Sequence, residues 1–239
     1  QAEDGIRDVE RSRGLGDVYK RQTQTSARQP GHQLMKPLVS PPMTMADFFE
    51  ASRGTWLNRR VVHHLDSQDD ESADSNLIIQ PFDSTDPVVE KVCQVLNISA
   101  SEANGGARFW WESNLMKEAK NDDYAAVVID APNPDDPTKG FLLRDKGYVE
   151  KKSVVSTYYF ADDGVLTIKT RYDTNVGIER CWFVNDQIRM RVSSVQFLDG
   201  VAMTTYCTEF RCPSQSDISE LSANARAMAD AAPSATART

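Results

Sequence analysis

Four charged side chains lie within the two strand-like runs of the segment GIERCWFVNDQIRMRVSSV (residues 177–195), among residues that favour β-strands. These charged residues are Glu179, Arg180, Arg189 and Arg191. Two apolar-rich runs flank the turn-forming pair Asn185-Asp186, so the segment predicts a β-hairpin. A carboxylate and guanidinium groups on neighbouring strands could hold a charged ligand if their side chains converge on one face.

The length of the hairpin loop decides which of these charges share a face. A two-residue loop puts Arg189 on the face of Arg180, with Glu179 on the opposite face. A three-residue loop, or a bulge, brings Glu179 onto the face of Arg189 and Arg191, and it pairs Glu179 with Ser193. From the pattern alone, the charged face is either solvated or the lining of a ligand cavity.

The elements that position this hairpin are mostly strands. A short helix, capped by Thr44 or Asp47 and ending at Gly54, precedes a strand at residues 56–65, and apolar spacing predicts a second helix at residues 86–98. The strand-like runs that follow are residues 106–115, 124–131, 139–149, 153–161, 164–172, 176–184, 187–196 and 201–211. Tight turns separate them, so the sequence predicts an all-β fold, an antiparallel up-and-down β-barrel of about ten strands.

Composition excludes several classes of function. The formal charge is −8, and residues 43–239 carry 20 Lys/Arg against 30 Asp/Glu, which disfavours nucleic acid as a partner. The longest apolar runs, such as residues 124–129, are too short to span a membrane. Four cysteines without paired metal-ligand spacing indicate a reducing compartment. His63 and His64 are adjacent on a strand and point to opposite faces, so no metal site is predicted.

The two ends of the chain differ from the central region. Residues 1–22 resemble translated adapter sequence, and residues 23–42 lack Asp and Glu, as in the remnant of an organelle transit peptide or a disordered linker. Residues 213–239 are rich in Ala and Ser and predict a disordered or peripheral tail, with one short helix at 217–228. We therefore expect one folded domain at residues 43–212.

An ordered series of motifs gives the central region a family resemblance. The motifs are GTWLNRRVVHHL, ESADSNLIIQP, GGARFWWES, GFLLRDKGY, DGVLTIKTRYD, IERCWFVNDQIRMRVSSV and TEFR. Together they resemble the S-type phycobiliprotein lyases, or bilin chromophore lyases, from about residue 47 to residue 212. The resemblance implies a calycin barrel, like that of fatty-acid-binding proteins, in which Trp56 of the Gly-x-Trp motif closes one end.

The family resemblance also implies the ligand and the reaction. Members bind a phycobilin, an open-chain tetrapyrrole such as phycoerythrobilin or phycocyanobilin, and attach it through a thioether to a cysteine of an apo-phycobiliprotein subunit. No cofactor is expected, the phycobilin being the substrate. A soluble protein of the chloroplast is expected from the acid-free tail, and a homodimer is an open possibility.

The matching motifs of the family imply which residues of this chain line the pocket. Glu179 and Arg189 are the expected catalytic residues, with Glu179 holding the protonated pyrrole nitrogens. The expected bilin-binding residues are Arg60, Trp111, Arg191, Ser193 and Glu209. Strand alternation allows only one of Trp110 and Trp111 to face inward, and we expect Trp111. A bilin or haem carrier without transfer activity, or a partner subunit of a heteromeric lyase, is the alternative function.

Overall fold

A computed structural model of the chain describes residues 40–65, 67, 69–113, 125–147, 152–197 and 200–212. Ten antiparallel strands close into a barrel in which each strand pairs with its sequence neighbours and β1 pairs with β10. The strands are β1 Gly54–His64, β2 Asp69–Phe82, β3 Gly106–Ser113, β4 Ala125–Asn133, β5 Asp136–Arg144, β6 Val154–Phe160, β7 Leu166–Arg171, β8 Asn175–Asn185, β9 Ile188–Phe197 and β10 Gly200–Cys212. The predicted all-β barrel is confirmed.

Helix α1 (Met45–Ser52) plugs one end of the barrel. The Thr44 side chain caps it by accepting a hydrogen bond from the backbone N–H of Asp47. The buried side chains of Met45, Phe48 and Phe49 enter the main hydrophobic core. Because β1 starts directly after α1, the plugged end is the one at which odd-numbered strands begin and even-numbered strands end. We call the opposite end, where β1 ends and β10 begins, the mouth of the barrel.

Helix α2 (Pro87–Val95) lies on the outside of the barrel. Asp86 caps it, and Val89, Val92 and Cys93 form a second core cluster that includes Leu143 of β5. A 3₁₀ turn at Ala100–Glu102 follows it. Both predicted helices are thus present within the described residues, whereas the predicted helix at 217–228 lies outside them. None of the helices that the structure describes is long and apolar enough to cross a bilayer.

Two details of the strands differ from the prediction. β2 was not among the predicted strands, because its first half, DDESADS, has no apolar alternation although it pairs with β1 throughout. β5 ends at Arg144 instead of residue 149. Just after this end, the Asp145 carboxylate accepts a hydrogen bond from the backbone N–H of Val127 at 2.8 Å, and the Asp145 N–H donates to the Val127 carbonyl oxygen at 3.2 Å.

Candidate active site

The β8–β9 hairpin adopts the register that contains a bulge. The bulge lies between Phe183 and Asn185, and the Asn185 side-chain oxygen accepts hydrogen bonds from the backbone N–H groups of Gln187 and Ile188, both at 2.9 Å. The opposed pairs are Phe183 with Arg189, Cys181 with Arg191, and Glu179 with Ser193. Of the two registers that the sequence allows, the structure has the one that directs Glu179, Arg189 and Arg191 into the barrel.

A carboxylate from the last strand joins these side chains. Glu209 of β10 lies opposite Arg189 in the strand register, and its side chain is 0% exposed. Its Oε2 atom accepts a hydrogen bond from Nε of Arg189 at 2.6 Å, and its Oε1 atom accepts one from Nε of Arg191 at 3.2 Å. Both oxygens of Glu209 are therefore occupied by arginines.

The contacts weaken toward the open space of the barrel. Arg191 reaches Glu179 at only 3.5 Å, and these two side chains are 16% and 20% exposed, against 3% for Arg189. Nη2 of Arg191 also approaches the sulfur of Cys207 at 3.3 Å. Arg189 and Glu209 thus form a tight inner pair, whereas Glu179 and Arg191 form a looser pair that a ligand can reach.

The inner pair is tied to the plug of the barrel. Nη1 of Arg189 donates a hydrogen bond to the hydroxyl of Ser52, the last residue of α1, at 2.7 Å. The indole N–H of Trp56 donates to the carbonyl oxygen of Ser52 at 2.8 Å. The guanidinium groups of Arg189 and Arg211 lie 5.0 and 4.2 Å from the Trp56 ring. Trp56 is fully buried at this end, where the family resemblance places it.

A cavity extends from α1 along the barrel axis. Its lining comprises Met45, Phe48, Phe49, Leu77, Phe109, Trp111, Val128, Leu142, Arg144, Leu166, Ile168, Glu179, Cys181, Arg189 and Arg191. Trp111 lies in this lining as expected, whereas Trp110 is on the other face of β3, where its N–H donates to Glu112 at 3.0 Å. The described side chains leave only a narrow space between them, so a large ligand has to move some of them or extend into the mouth.

The remaining expected residues lie at the edges of this site. Arg60 of β1 lies opposite Cys207 of β10. Its side chain is 42% exposed and forms an ion pair with Glu71 at 3.4 Å, away from the inner pair of Arg189 and Glu209. Ser193 lies opposite Glu179 but is not among the cavity-lining residues. Glu209 lies behind the arginines and contacts a ligand only through them.

The ionisation of the cluster follows from its contacts. Burial raises the pKa of Glu209, but the charges of Arg189 and Arg191 outweigh burial and bring the pKa below the usual 4.5. Burial likewise lowers the pKa of Arg191, but the acidic groups around it, Glu209 foremost, together outweigh burial and raise this pKa above its usual value. In formal charge, the two arginines of the cluster balance its two carboxylates, Glu179 and Glu209. Burial raises the pKa of the Cys207 thiol, so this cysteine is a poor nucleophile.

Sequence reasoning missed three features of the barrel interior. Ser52 holds Arg189 across 137 residues of sequence, a contact for which there is no local signal. Arg144 of β5 is a buried cation that lines the cavity. Its position two residues after the apolar Leu142 on the same strand was the available signal that it points inward. Asp130 is buried near the plugged end and accepts a hydrogen bond from the hydroxyl of Tyr158 at 2.8 Å. Burial raises the pKa of Asp130 from 3.8 to about 6.

Comparison with known proteins confirms the family resemblance. The profile of the CpeS-like protein family matches residues 44–212. A chromophore lyase CpcS/CpeS of Synechococcus sp. (strain WH8020) is 71% identical over 199 residues, which cover 83% of this chain and 100% of the relative. Chromophore lyase CpcS/CpeS 4 of Trichodesmium erythraeum (strain IMS101) is 44% identical over 183 residues, 77% of this chain and 95% of the relative.

A solved structure has the same fold. The S-type phycobiliprotein lyase CpeS from Guillardia theta superposes with a TM-score of 0.58 at 26% identity, over 72% of this chain and 94% of that one. The family profile spans the whole barrel, from the residue that caps α1 to the end of β10. The chain therefore belongs to the CpeS-like family of chromophore lyases.

Proposed function

We propose that this protein is a lyase that binds a phycobilin in its barrel and attaches it to a cysteine of an apo-phycobiliprotein subunit. The observation that carries the proposal is the neutral cluster of Glu179, Arg189, Arg191 and Glu209 inside a barrel of the CpeS-like family. Relatives of high identity are named chromophore lyases, and the solved neighbour is named a phycobiliprotein lyase.

The looser pair supplies the groups for the ligand. A phycobilin carries two propionates and, in its electrophilic form, protonated pyrrole nitrogens. The 3.5 Å contact between Arg191 and Glu179 is long, so both side chains can exchange it for ligand atoms. Glu179 then holds the cationic nitrogens, and Arg191 holds a propionate. Arg189, already bonded to Glu209 and Ser52, keeps the pocket in shape, and Arg60 meets a propionate at the mouth.

The reaction is an addition. The sulfur of the acceptor cysteine bonds to the ethylidene carbon of ring A, and the thiol proton goes to the adjacent ring carbon. No group leaves and no electrons are exchanged with a third reactant, so the step requires no redox cofactor. Cys181 and Cys207 are buried with raised thiol pKa values, so the acceptor subunit provides the nucleophile. The protein contributes by fixing one conformation of the bilin with its reactive carbon toward the mouth.

Absorbance measurements test this function. The protein is mixed separately with phycoerythrobilin, phycocyanobilin and haem, and an apo-phycobiliprotein subunit is then added. We expect a sharpened bilin spectrum, followed by a bilin signal that stays with the subunit on a denaturing gel. Binding without transfer would favour a carrier or a partner subunit of a heteromeric lyase, and absence of bilin binding would overturn the proposal.

A matched pair of variants tests the carboxylate. Glu179→Gln keeps the shape of the side chain but removes the charge that holds the cationic nitrogens, so we expect weaker bilin binding and, at saturating bilin, transfer slowed by about tenfold or more. Glu102→Gln, on the outer 3₁₀ turn, is the control and leaves both unchanged. Unchanged transfer by Glu179→Gln would exclude a chemical role for Glu179.

The proposed location is the chloroplast. Its support is the composition of residues 23–42, which contain Arg, Lys, Ser and Thr but no Asp or Glu. Fusion of residues 23–42 to a fluorescent protein, followed by import into isolated chloroplasts, tests it. Import and processing of the fusion would support the proposal, and exclusion of the fusion would refute it.

A further inference from the structure

The outer wall of the barrel formed by strands β6 to β9 has an unusual distribution of charge. Strands β6 to β9 contain a single acidic residue, Glu179, and its side chain points into the barrel. The outward side chains of these four neighbouring strands therefore include no carboxylate. Residues 43–239 as a whole carry ten more acidic than basic residues. The acidic residues next to this wall lie in the turns that join its strands, such as Asp162, Asp163 and Asp173.

Three exposed cations lie together on the same wall. Lys169 and Arg171 alternate along β7, and Arg180 of β8 lies opposite Thr167, one diagonal step from Lys169. None of the three has an ion-pair partner among the residues that the structure describes. By contrast, Arg59 on the outside of β1 is paired with Asp74 at 3.2 Å. Like charges on neighbouring strands repel each other, so folding alone does not favour this arrangement.

Apolar surface accompanies the cations. Tyr159 is 49% exposed and Ile178 is 37% exposed, and both line a shallow depression. The complete lining of that depression is Thr157, Tyr159, Thr167, Lys169, Ile178 and Arg180. We call these six residues together with Arg171 the outer β6–β8 face. Exposed aromatic and aliphatic groups beside arginine and lysine are typical of protein–protein contact surfaces.

We propose that the outer β6–β8 face docks an acidic protein partner, namely the apo-phycobiliprotein subunit that receives the chromophore. This inference rests on the proposed function. A surface of carboxylates around an apolar patch complements the face in charge and in polarity. A second copy of this chain, packed symmetrically on the same face, would bring the cations of both copies together. The acidic body of the protein repels a nucleic acid.

The position of the face fits delivery at the mouth. β7 ends and β8 begins at the end of the barrel opposite α1, so Arg171 lies at the rim of the mouth. A partner bound along the face therefore has its own edge beside the opening. In that position its cysteine reaches the reactive carbon of the bilin without passing through the barrel wall.

Charge reversal tests the docking surface. We expect Lys169→Glu combined with Arg180→Glu to raise the dissociation constant for a fluorescently labelled apo-phycobiliprotein subunit by tenfold or more. Bilin affinity, measured by absorbance, should stay within twofold, because both side chains point away from the cavity. Lys91→Glu, on the exposed side of α2, is the control with one reversed charge elsewhere and should leave subunit binding within twofold. Raising NaCl from 50 to 300 mM should weaken the wild type more than the double variant.

The outcomes separate this inference from the proposed function. Unchanged subunit affinity in the double variant would overturn the docking surface while leaving bilin transfer intact. A wild type that is dimeric in light scattering, together with a double variant that is monomeric, would overturn it in favour of a contact between copies of this chain. Failure of the wild-type protein to bind any bilin would instead refute the proposed function, whatever the subunit affinities.

Discussion

Replacing Glu209 by glutamine tests whether the inner ion pair holds the barrel together. In the wild type, each carboxylate oxygen of Glu209 accepts a hydrogen bond from a different arginine, and the side chain is fully buried. Glutamine has one acceptor oxygen and a donor amide, so it cannot serve both guanidinium groups. Arg189 and Arg191 then keep two positive charges near a single carboxylate, that of Glu179.

The expected cost is set by this uncompensated charge. Removal of one partner of a buried ion pair costs about 3–5 kcal/mol of the free energy of unfolding, because the other partner remains buried. Arg189 has a side chain that is only 3% exposed, so it cannot regain water without local opening. The upper half of that range is expected, since two arginines lose a charged acceptor.

The dependence on pH has a definite sign. The folded-state pKa of Glu209 is below its usual 4.5, so its stabilising contribution is present in full above pH 4.5 and is lost as the pH falls through the depressed pKa. The difference between wild type and Glu209→Gln should therefore be largest at neutral pH and should narrow in acid. Urea unfolding followed by circular dichroism, at pH 7.5 and at a series of lower pH values, measures it.

An exposed ion pair provides the control. Glu71→Gln breaks the contact with Arg60, where both side chains are well exposed, and should cost about 1 kcal/mol or less. A cost below about 1 kcal/mol for Glu209→Gln at pH 7.5 would refute the reasoning. It would mean that the arginines regain solvation or that the cluster tolerates an unpaired charge.

Three further predictions concern the barrel interior. Asp130→Asn should stabilise the protein at pH 8 by up to about 3 kcal/mol. The reason is the raised folded-state pKa of Asp130, which makes the stability of the wild type fall as the pH rises from 3.8 to about 6. Equal pH profiles of the two proteins in urea unfolding would contradict this. Ser52→Ala should cost about 1–3 kcal/mol by removing an acceptor from the buried Arg189, measured in the same way, and no change would show that water replaces the hydroxyl. Trp111→Ala should weaken bilin binding at least tenfold in an absorbance titration, because Trp111 lines the cavity. Trp110→Ala should leave the bilin affinity within twofold of wild type. Equal losses of affinity in the two variants would contradict the inward orientation of Trp111.

The general fold was predictable because strand alternation and turn residues recur along most of the chain. The hairpin at residues 177–195 shows the limit of prediction from local sequence. Its pattern allows two registers, and the one with the bulge between Phe183 and Asn185 places Arg189 against Glu209 of β10, a contact that the local pattern does not show. β2 was missed for a related reason: its acidic half is a strand only because it pairs with β1. In both cases long-range pairing determines structure that local sequence leaves open.

The candidate site likewise has a part that the sequence predicts and a part that only the structure shows. The family motifs identify Glu179, Arg189 and Arg191, but they do not say which of these charges are accessible. That depends on Ser52 and Glu209, which reach Arg189 from α1 and β10, far away in the sequence. Residue types thus predicted the chemistry of the cluster, and only the closed barrel shows how its charges are paired.

The gradation of these contacts bears on how the site works. A buried charge needs a partner before the ligand arrives, since an unpaired charge in the barrel would cost several kcal/mol, on the order of 3–5. The inner pair of Arg189 and Glu209, at 2.6 Å, is too tight and too buried to exchange that partner readily. The outer pair of Arg191 and Glu179, at 3.5 Å, neutralises itself in the empty barrel and can be divided between a ligand's carboxylate and its cationic nitrogens. A ligand that carries both signs of charge leaves neither side chain unpaired, whereas a fatty acid would leave Glu179 without a cation. The geometry therefore favours a zwitterionic ligand such as a protonated bilin over a simple anion.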